Sequence, residues 1–376
     1  MKALTSMRGI LKNLSKQVEV LPAIGGAIQD LEHPDFEERE DMAMNEEEKI
    51  FDAIHEYDPS VANPPLFRFV QPLMRGQNHF YRYFLDGSFR SYFLGTMLEH
   101  ERETPVLFAQ VGACLLHRKD DGSVCKIALE VRNILTLSKE RISRTLWNHI
   151  ENLIEDSDIK LVDLTEQDII SKKLADFDLR NKAAGKICYE MHLLESEMIN
   201  KALPYLSEEN WMIIDGSLLF SPTLYYLRGG EETKPVVGVS KSFRKDPQFV
   251  YGRGPKGERK SIFKLLSELD FEHRTAAFKA RNGEVVFWYV RLREQKHLDY
   301  PIMGIIKGEL ANPSKKPIPS ELLDIISQAL VAERSVTPHG QDRRWHVHLY
   351  PIFLAECAVK ESLLRREVVQ QFLKWR

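Results

Sequence analysis

Residues 211–217 read Trp-Met-Ile-Ile-Asp-Gly-Ser, four apolar residues running straight into an acid, a glycine and a serine. A run this apolar predicts a central strand covered on both faces. A similar run over 235–239 ends on Ser240-Lys241, and 81–85 ends on Asp86-Gly87-Ser88 before another apolar piece at 91–94. The Asp-Gly-Ser between those last two pieces predicts a hairpin turn. Further strands are predicted over 106–116, 126–129, 285–292, 302–306 and 345–349. A long helical region is predicted over 138–203, with a closing helix carrying Leu364, Val368 and Phe372 at spacing four. Strands followed by helices define an α/β or α+β layer fold.

The chain has 376 residues, 43% of them hydrophobic and 28% charged, enough for a sizeable core and for about two domains or one large domain with insertions. Its formal charge of −3 excludes a globally basic nucleic-acid binder, so any anion-binding surface must be local. The four cysteines are scattered with no CxxC, which argues against a disulfide framework or a cysteine-type zinc site and for a reducing cytoplasm. No apolar stretch approaches the roughly 18–20 residues of a membrane helix, so a soluble protein is expected. Near the start, Leu4, Met7, Leu11, Leu14 and Val18 recur at spacings of three or four. They predict an amphipathic helix whose apolar face docks on a partner, on a second copy or on its own core. Nine acids against Arg39 over 32–48 predict a solvated linker or an exposed helix. Residues 1–65 therefore read as an N-terminal helical extension with an acidic linker, and 66–376 as the main domain.

Asp86 and Asp215 each stand at the end of an apolar strand, where a carboxylate is rigidly held yet accessible, as a divalent-ion ligand must be. Asp-Gly is also an ordinary turn dipeptide. Between them a helix carries Ile187, Met191, Leu194 and Met198 at 4-3-4 spacing, flanked by Glu190, Glu195 and Glu197. Any of the three acids suits the rim of a carboxylate cluster, and spacing does not choose among them. Lys241 opens the segment 241–260, in which seven basic residues face Asp246 and Glu258, a net of +5. Its Arg244, Lys245, Arg253, Lys256, Arg259 and Lys260, interleaved with Phe243, Phe249 and Tyr251, suit a single-stranded nucleic acid, or simply a solvated loop. No GxxxxGK[ST] sequence is present, so no P-loop is expected. His346 and His348 would share one face of the strand predicted at 345–349, as metal ligands, as proton donors or as an ordinary polar face.

Read in order, Leu85-Asp86-Gly87-Ser88, the acidic helix, Ile213 to Leu218 with its Asp-Gly-Ser, Gly238-Val239-Ser240-Lys241 and Tyr350-Pro351-Ile352-Phe353-Leu354-Ala355-Glu356 resemble the NurA nuclease family over about residues 80 to 370. The resemblance implies an α/β, RNase H-like, PIWI-related fold, a mixed β-sheet flanked by helices with an N-terminal helical extension. It implies a manganese- or magnesium-dependent nuclease acting on DNA ends and single strands, a homodimer, and a HerA-type hexameric DNA translocase as partner, in DNA repair or defence against foreign DNA. Carried over residue by residue, Asp86 and Asp215 match metal ligands and Glu195 the helical glutamate, with Glu197 as runner-up. Lys241 matches the following lysine and Tyr350 the late tyrosine. A two-metal site on Asp86, Glu195 and Asp215 is the expected catalytic centre, with Lys241 balancing charge on the scissile phosphate. The family's histidine after that tyrosine is absent, Ala358 standing in its place, so His346 or His348 is the expected substitute. A catalytically impaired DNA-binding subunit is the alternative, and a glycosidase using paired acids a third reading that leaves the basic segment unexplained.

Overall fold

The computed structural model describes residues 2–23, 50–51, 54–74, 79–165, 179–243, 248–251, 258–294, 300–336 and 344–375. Twelve strands form one mixed sheet. In chain order they are β1 (Glu19–Pro22), β2 (Phe67–Phe69), β3 (Tyr81–Glu99), β4 (Arg102–Arg118), β5 (Val124–Leu137), β6 (Ile159–Asp163), β7 (Trp211–Asp215), β8 (Val236–Ser240), β9 (His273–Thr275), β10 (Phe278–Ala280), β11 (Val285–Arg291) and β12 (Ile305–Ala311). The helices are α1 (Lys2–Leu14), α2 (Arg144–Glu155), α3 (Leu179–Ala202), α4 (Ser221–Leu227), α5 (Ile262–Ser267), α6 (Ser320–Glu333), α7 (Tyr350–Ser362) and α8 (Arg366–Phe372). Neighbours across the sheet run β2-β9-β11-β12-β8-β7-β3-β4-β5-β6, with β1 added to β3 and β10 to β11. Strands β3, β4 and β5 form an antiparallel meander, and β7 and β8 extend it in parallel on the β3 side.

The centre of this sheet is covered on both faces. Leu85, Phe89, Met212 and Ile214 meet the Ile187, Met191, Leu194 and Met198 stripe of α3 on one face. Phe84, Ile213, Val237 and Val239 meet Leu323, Ile326 and Leu330 of α6 and Ile352, Ala355 and Val359 of α7 on the other. Alternating side chains of each strand thus serve two cores, which is why the strands read as unbroken apolar runs. A Cβ at Gly112 of β4 would stand 2.9 Å from Val359 Cγ1, so this glycine lets α7 lie close on the sheet.

Three expectations are corrected. The hairpin turn at 86–88 does not exist: Asp86, Gly87 and Ser88 lie inside the 19-residue β3 and pair with Cys114, Ala113 and Gly112 of β4. Their turn chemistry is overridden by ladder hydrogen bonds on a long neighbour. The helical region over 138–203 is interrupted by β6, which extends the sheet beside β5 after α2 ends at Glu155. Residues 345–349 are not a strand, because 345–347 make a 3-10 turn that leads into α7 with Pro351 in its first turn.

The apolar face of α1 is covered by its own chain. Leu4, Met7, Ile10, Leu11 and Leu14 are buried with Tyr92 and Phe108 of the sheet, Leu146, Trp147 and Ile150 of α2, and Val369, Leu373 and Trp375 at the C-terminal end. Residues 2–23 are thereby built into the same fold as the sheet, and of the three coverings expected for the face of α1 the one observed is its own core. The acidic segment 32–48 lies outside the described residues. Among the described residues, no helix is long and apolar enough to cross a membrane.

Candidate active site

Strands β3 and β7 are parallel, with Leu85 opposite Ile214, so the next residues, Asp86 and Asp215, come side by side on the face covered by α7. The neighbouring β8 sets Val239 opposite Asp215, and Lys241 follows two residues later on that same face. Helix α7 supplies a third acid, Glu356, next to its buried Ala355. Lys241 Nζ lies 2.7 Å from Asp215 Oδ2 and 4.0 Å from Glu356 Oε2. Glu356 Oε1 also accepts from Lys360 at 2.6 Å. Asp86 is buried, and its Oδ2 finds no hydrogen-bond partner among the described residues.

The electrostatics follow from this crowding. Burial and the adjacent Asp215 push the Asp86 carboxyl well above the usual carboxylate range, against the pull of Lys241. Burial alone would push Lys241 down, but Asp215, Asp86 and Glu356 outweigh it and hold the ammonium well above its ordinary value. For Glu356, burial raises the carboxyl and the Lys241 and Lys360 charges more than reverse this, bringing it to about 2 from 4.5. A carboxyl lowered on folding contributes stability that is present above its unfolded value and lost as pH falls through its folded one. Glu356→Gln in the metal-free protein is therefore expected to flatten the fall of melting temperature between pH 4.5 and about 2. Thermal melts across that range check this, and identical slopes would contradict it.

The Asp215-Gly216-Ser217 turn is anchored from the opposite face. Gly216 takes φ +106, a conformation that favours glycine. Glu309 of β12, fully buried and paired with Lys307 at 2.7 Å, accepts from Ser217 Oγ at 2.8 Å and from Leu218 N at 2.7 Å. Asp215 is thus held by a rigid strand on one side and a bolted turn on the other.

Of the three flanking glutamates, Glu190 pairs with Lys160 at 2.6 Å and Glu197 with Arg132 at 3.0 Å. Glu195 is the one beside Asp86, but from behind. A Cβ on Gly87 would stand 2.8 Å from its carboxyl carbon, and Gly87 faces away from the side to which Asp86 points. Glu195 Oε2 is 2.7 Å from His192 Nδ1. Gly87→Ala is expected to displace this flexible carboxylate rather than the strand, costing about 1–3 kcal/mol. A melting shift much larger than that range would contradict it.

His348 is buried, its ring stacked on Phe353 at 5.8 Å, and it lowers the Glu356 carboxyl through its charge. It does not share a strand face with His346, which is half-exposed on the 3-10 turn. Tyr350 is 48% exposed at the first position of α7, about 240° around the helix from Glu356. Arg244, Lys245, Arg253 and Lys256 lie outside the described residues, and Arg259 and Lys260 lie on a short strand, Glu258–Ser261. Sequence reasoning missed Glu356 and Glu309 as parts of the site. Glu309 had a readable signal, a Lys307-Gly308-Glu309 charge pair inside a run that is apolar on both sides, whereas Glu356 required the register of α7 on the sheet.

Among the described residues, no group of three or more His, Cys, Asp or Glu side chains stands ready to hold a metal ion, and the cation set between Asp215 and Glu356 is Lys241. No protein-family model matches the chain, and no curated protein matches it. Fold and site together define a mixed α/β protein in which Asp86 within β3, Asp215 at the end of β7, Glu356 of α7 and the buried Lys241 side chain come together on one face of the sheet.

Proposed function

We propose that the protein is a metal-dependent nuclease of the NurA type, hydrolysing phosphodiester bonds in single-stranded DNA and at DNA ends. The observation that carries this reading is the side-by-side placement of Asp86 and Asp215 on adjacent parallel strands, with Glu356 and Lys241 over them. The strand order β5-β4-β3-β7-β8, an antiparallel meander continued by two parallel strands, supports an RNase H-like core.

The donor set suits magnesium or manganese. Its donors are carboxylate oxygens, the ligands hard cations choose, and one of them, Asp86 Oδ2, is buried without a hydrogen bond among the described residues. Asp86, Asp215 and Glu356 would hold the ion, which supplies the Lewis acidity for phosphodiester hydrolysis. Glu195, behind Gly87, positions the strand that carries Asp86 and is itself oriented by His192. Lys241, released from Asp215 when a cation competes for that carboxylate, is placed to meet the negative charge of a scissile phosphate.

Incubating the full chain with labelled single-stranded DNA tests the reading. Cutting is expected with manganese and none with a chelator, and a protein inert with every divalent ion would overturn it. The Lys241–Asp215 pair favours one alternative, a strand-binding subunit whose lysine has replaced the cation for good. The NurA-type reading also carries a homodimer and a HerA-type translocase, which light scattering and pull-down of the full chain test.

A further inference from the structure

The carboxyl end of β8 holds Ser240 opposite Lys307 of β12, and the antiparallel β11 returns so that Arg291 stands opposite Ile305. The chain leaving β11 therefore emerges at the same end of the sheet as Asp215 and Lys241. Two residues on, Arg293 Nε donates to the His346 carbonyl at 3.0 Å and its Nη2 donates to the Ser335 carbonyl. Its guanidinium lies 4.4 Å from the centre of the Trp345 ring. Ser335 N in turn donates to the carbonyl of His348, whose charge reaches Glu356. Arg334, the residue before Ser335, sets its guanidinium 5.6 Å from the Phe271 ring. Hydrogen bonds thus join this arginine and tryptophan cluster to the backbone of His348, two residues before α7 begins its approach to the carboxylates.

We propose that Arg293, Arg334 and Trp345 form a subsite for single-stranded DNA, the two guanidiniums taking a backbone phosphate and the indole a base, and that it guides the strand toward Asp86 and Asp215. The substrate class rests on the nuclease reading. Three observations favour an anion here. Among the described residues no carboxylate pairs with Arg293. Burial, reinforced by the positive charge of Arg334, pushes Arg293 down to about 10, a repulsion that a bound phosphate would relieve. Arg293, Arg334, Trp345 and His346 are all part-exposed. Phosphate contacts by arginine beside an aromatic ring are the pairing that binds single strands without sequence preference.

Arg293 also ties two loops together, so the decisive variants are Arg334→Gln and Trp345→Leu, which leave its hydrogen bonds in place. Binding of a fluorescein-labelled mixed-sequence single strand to the full chain in chelator is measured by anisotropy across a salt titration. Arg334→Gln is expected to weaken binding about tenfold and to lower the salt slope by about one, because one fewer counterion is released. Trp345→Leu is expected to weaken it about tenfold with an unchanged slope. Wild-type affinity in both variants would overturn the subsite, even if manganese-dependent cutting is present and the nuclease reading stands. Loss of binding in both variants of a protein that never cuts would support the subsite while the nuclease reading fails.

Discussion

Asp215→Asn is expected to reduce manganese-dependent cutting of single-stranded DNA by at least about 1,000-fold, a scale typical of losing a group that stabilises developing charge in a transition state. Asp86→Asn should do the same. The two differ in what they do to the folded protein. Burial and the adjacent Asp215 disfavour the charged form of the Asp86 carboxyl, so its neutral amide is expected to leave the melting temperature unchanged or raise it. Asp215 holds Lys241 at 2.7 Å, so its amide leaves a buried ammonium with less counter-charge and is expected to lower the melting temperature. Steady cutting by both variants at the wild-type rate would remove the carboxylates from the chemistry.

Deleting residues 1–23 is expected to unfold the protein rather than to loosen a partner. Helix α1 contributes five buried apolar side chains, each worth about 1.5–3 kcal/mol on burial. Together they match the whole stability of an ordinary domain, about 5–15 kcal/mol. Strand β1 would be lost as well, exposing the edge of β3 from Gly95 to Leu98. Near-UV circular dichroism and thermal melts read the outcome. A truncated chain that keeps its native spectrum and melting temperature would return α1 to the role of an independent docking helix.

The apolar strands, the α3 stripe and the two acids were legible because each depends on a local pattern that tertiary contacts reinforce. Two identical Asp-Gly-Ser tripeptides show where such legibility ends. At 215–217 glycine adopts a positive φ and the chain turns, held by Glu309. At 86–88 the same three residues stay extended, because β4 pairs with them on one edge and the Glu195 carboxylate fills the space above Gly87. Nothing within the tripeptide distinguishes the two. The α1 stripe was readable as a helix face but not for what covers it, since Trp147 and Trp375 lie far away in the chain. The histidine pair at 346 and 348 was misplaced because Pro351 starts a helix where alternation suggested a strand. Arg293 and Arg334 are separated by 41 positions and meet only through the folding of β11 and α6.

Metal-dependent cutting requires a divalent cation to take the place among the acids that Lys241 now shares. Crystals of the full chain soaked with manganese, measured at the manganese absorption edge, test this directly. An anomalous peak within bonding distance of Asp86, Asp215 and Glu356 carboxylates, with Lys241 moved off Asp215, is the predicted result. Lys241 still bonded to Asp215, with no anomalous peak at these carboxylates, would contradict it.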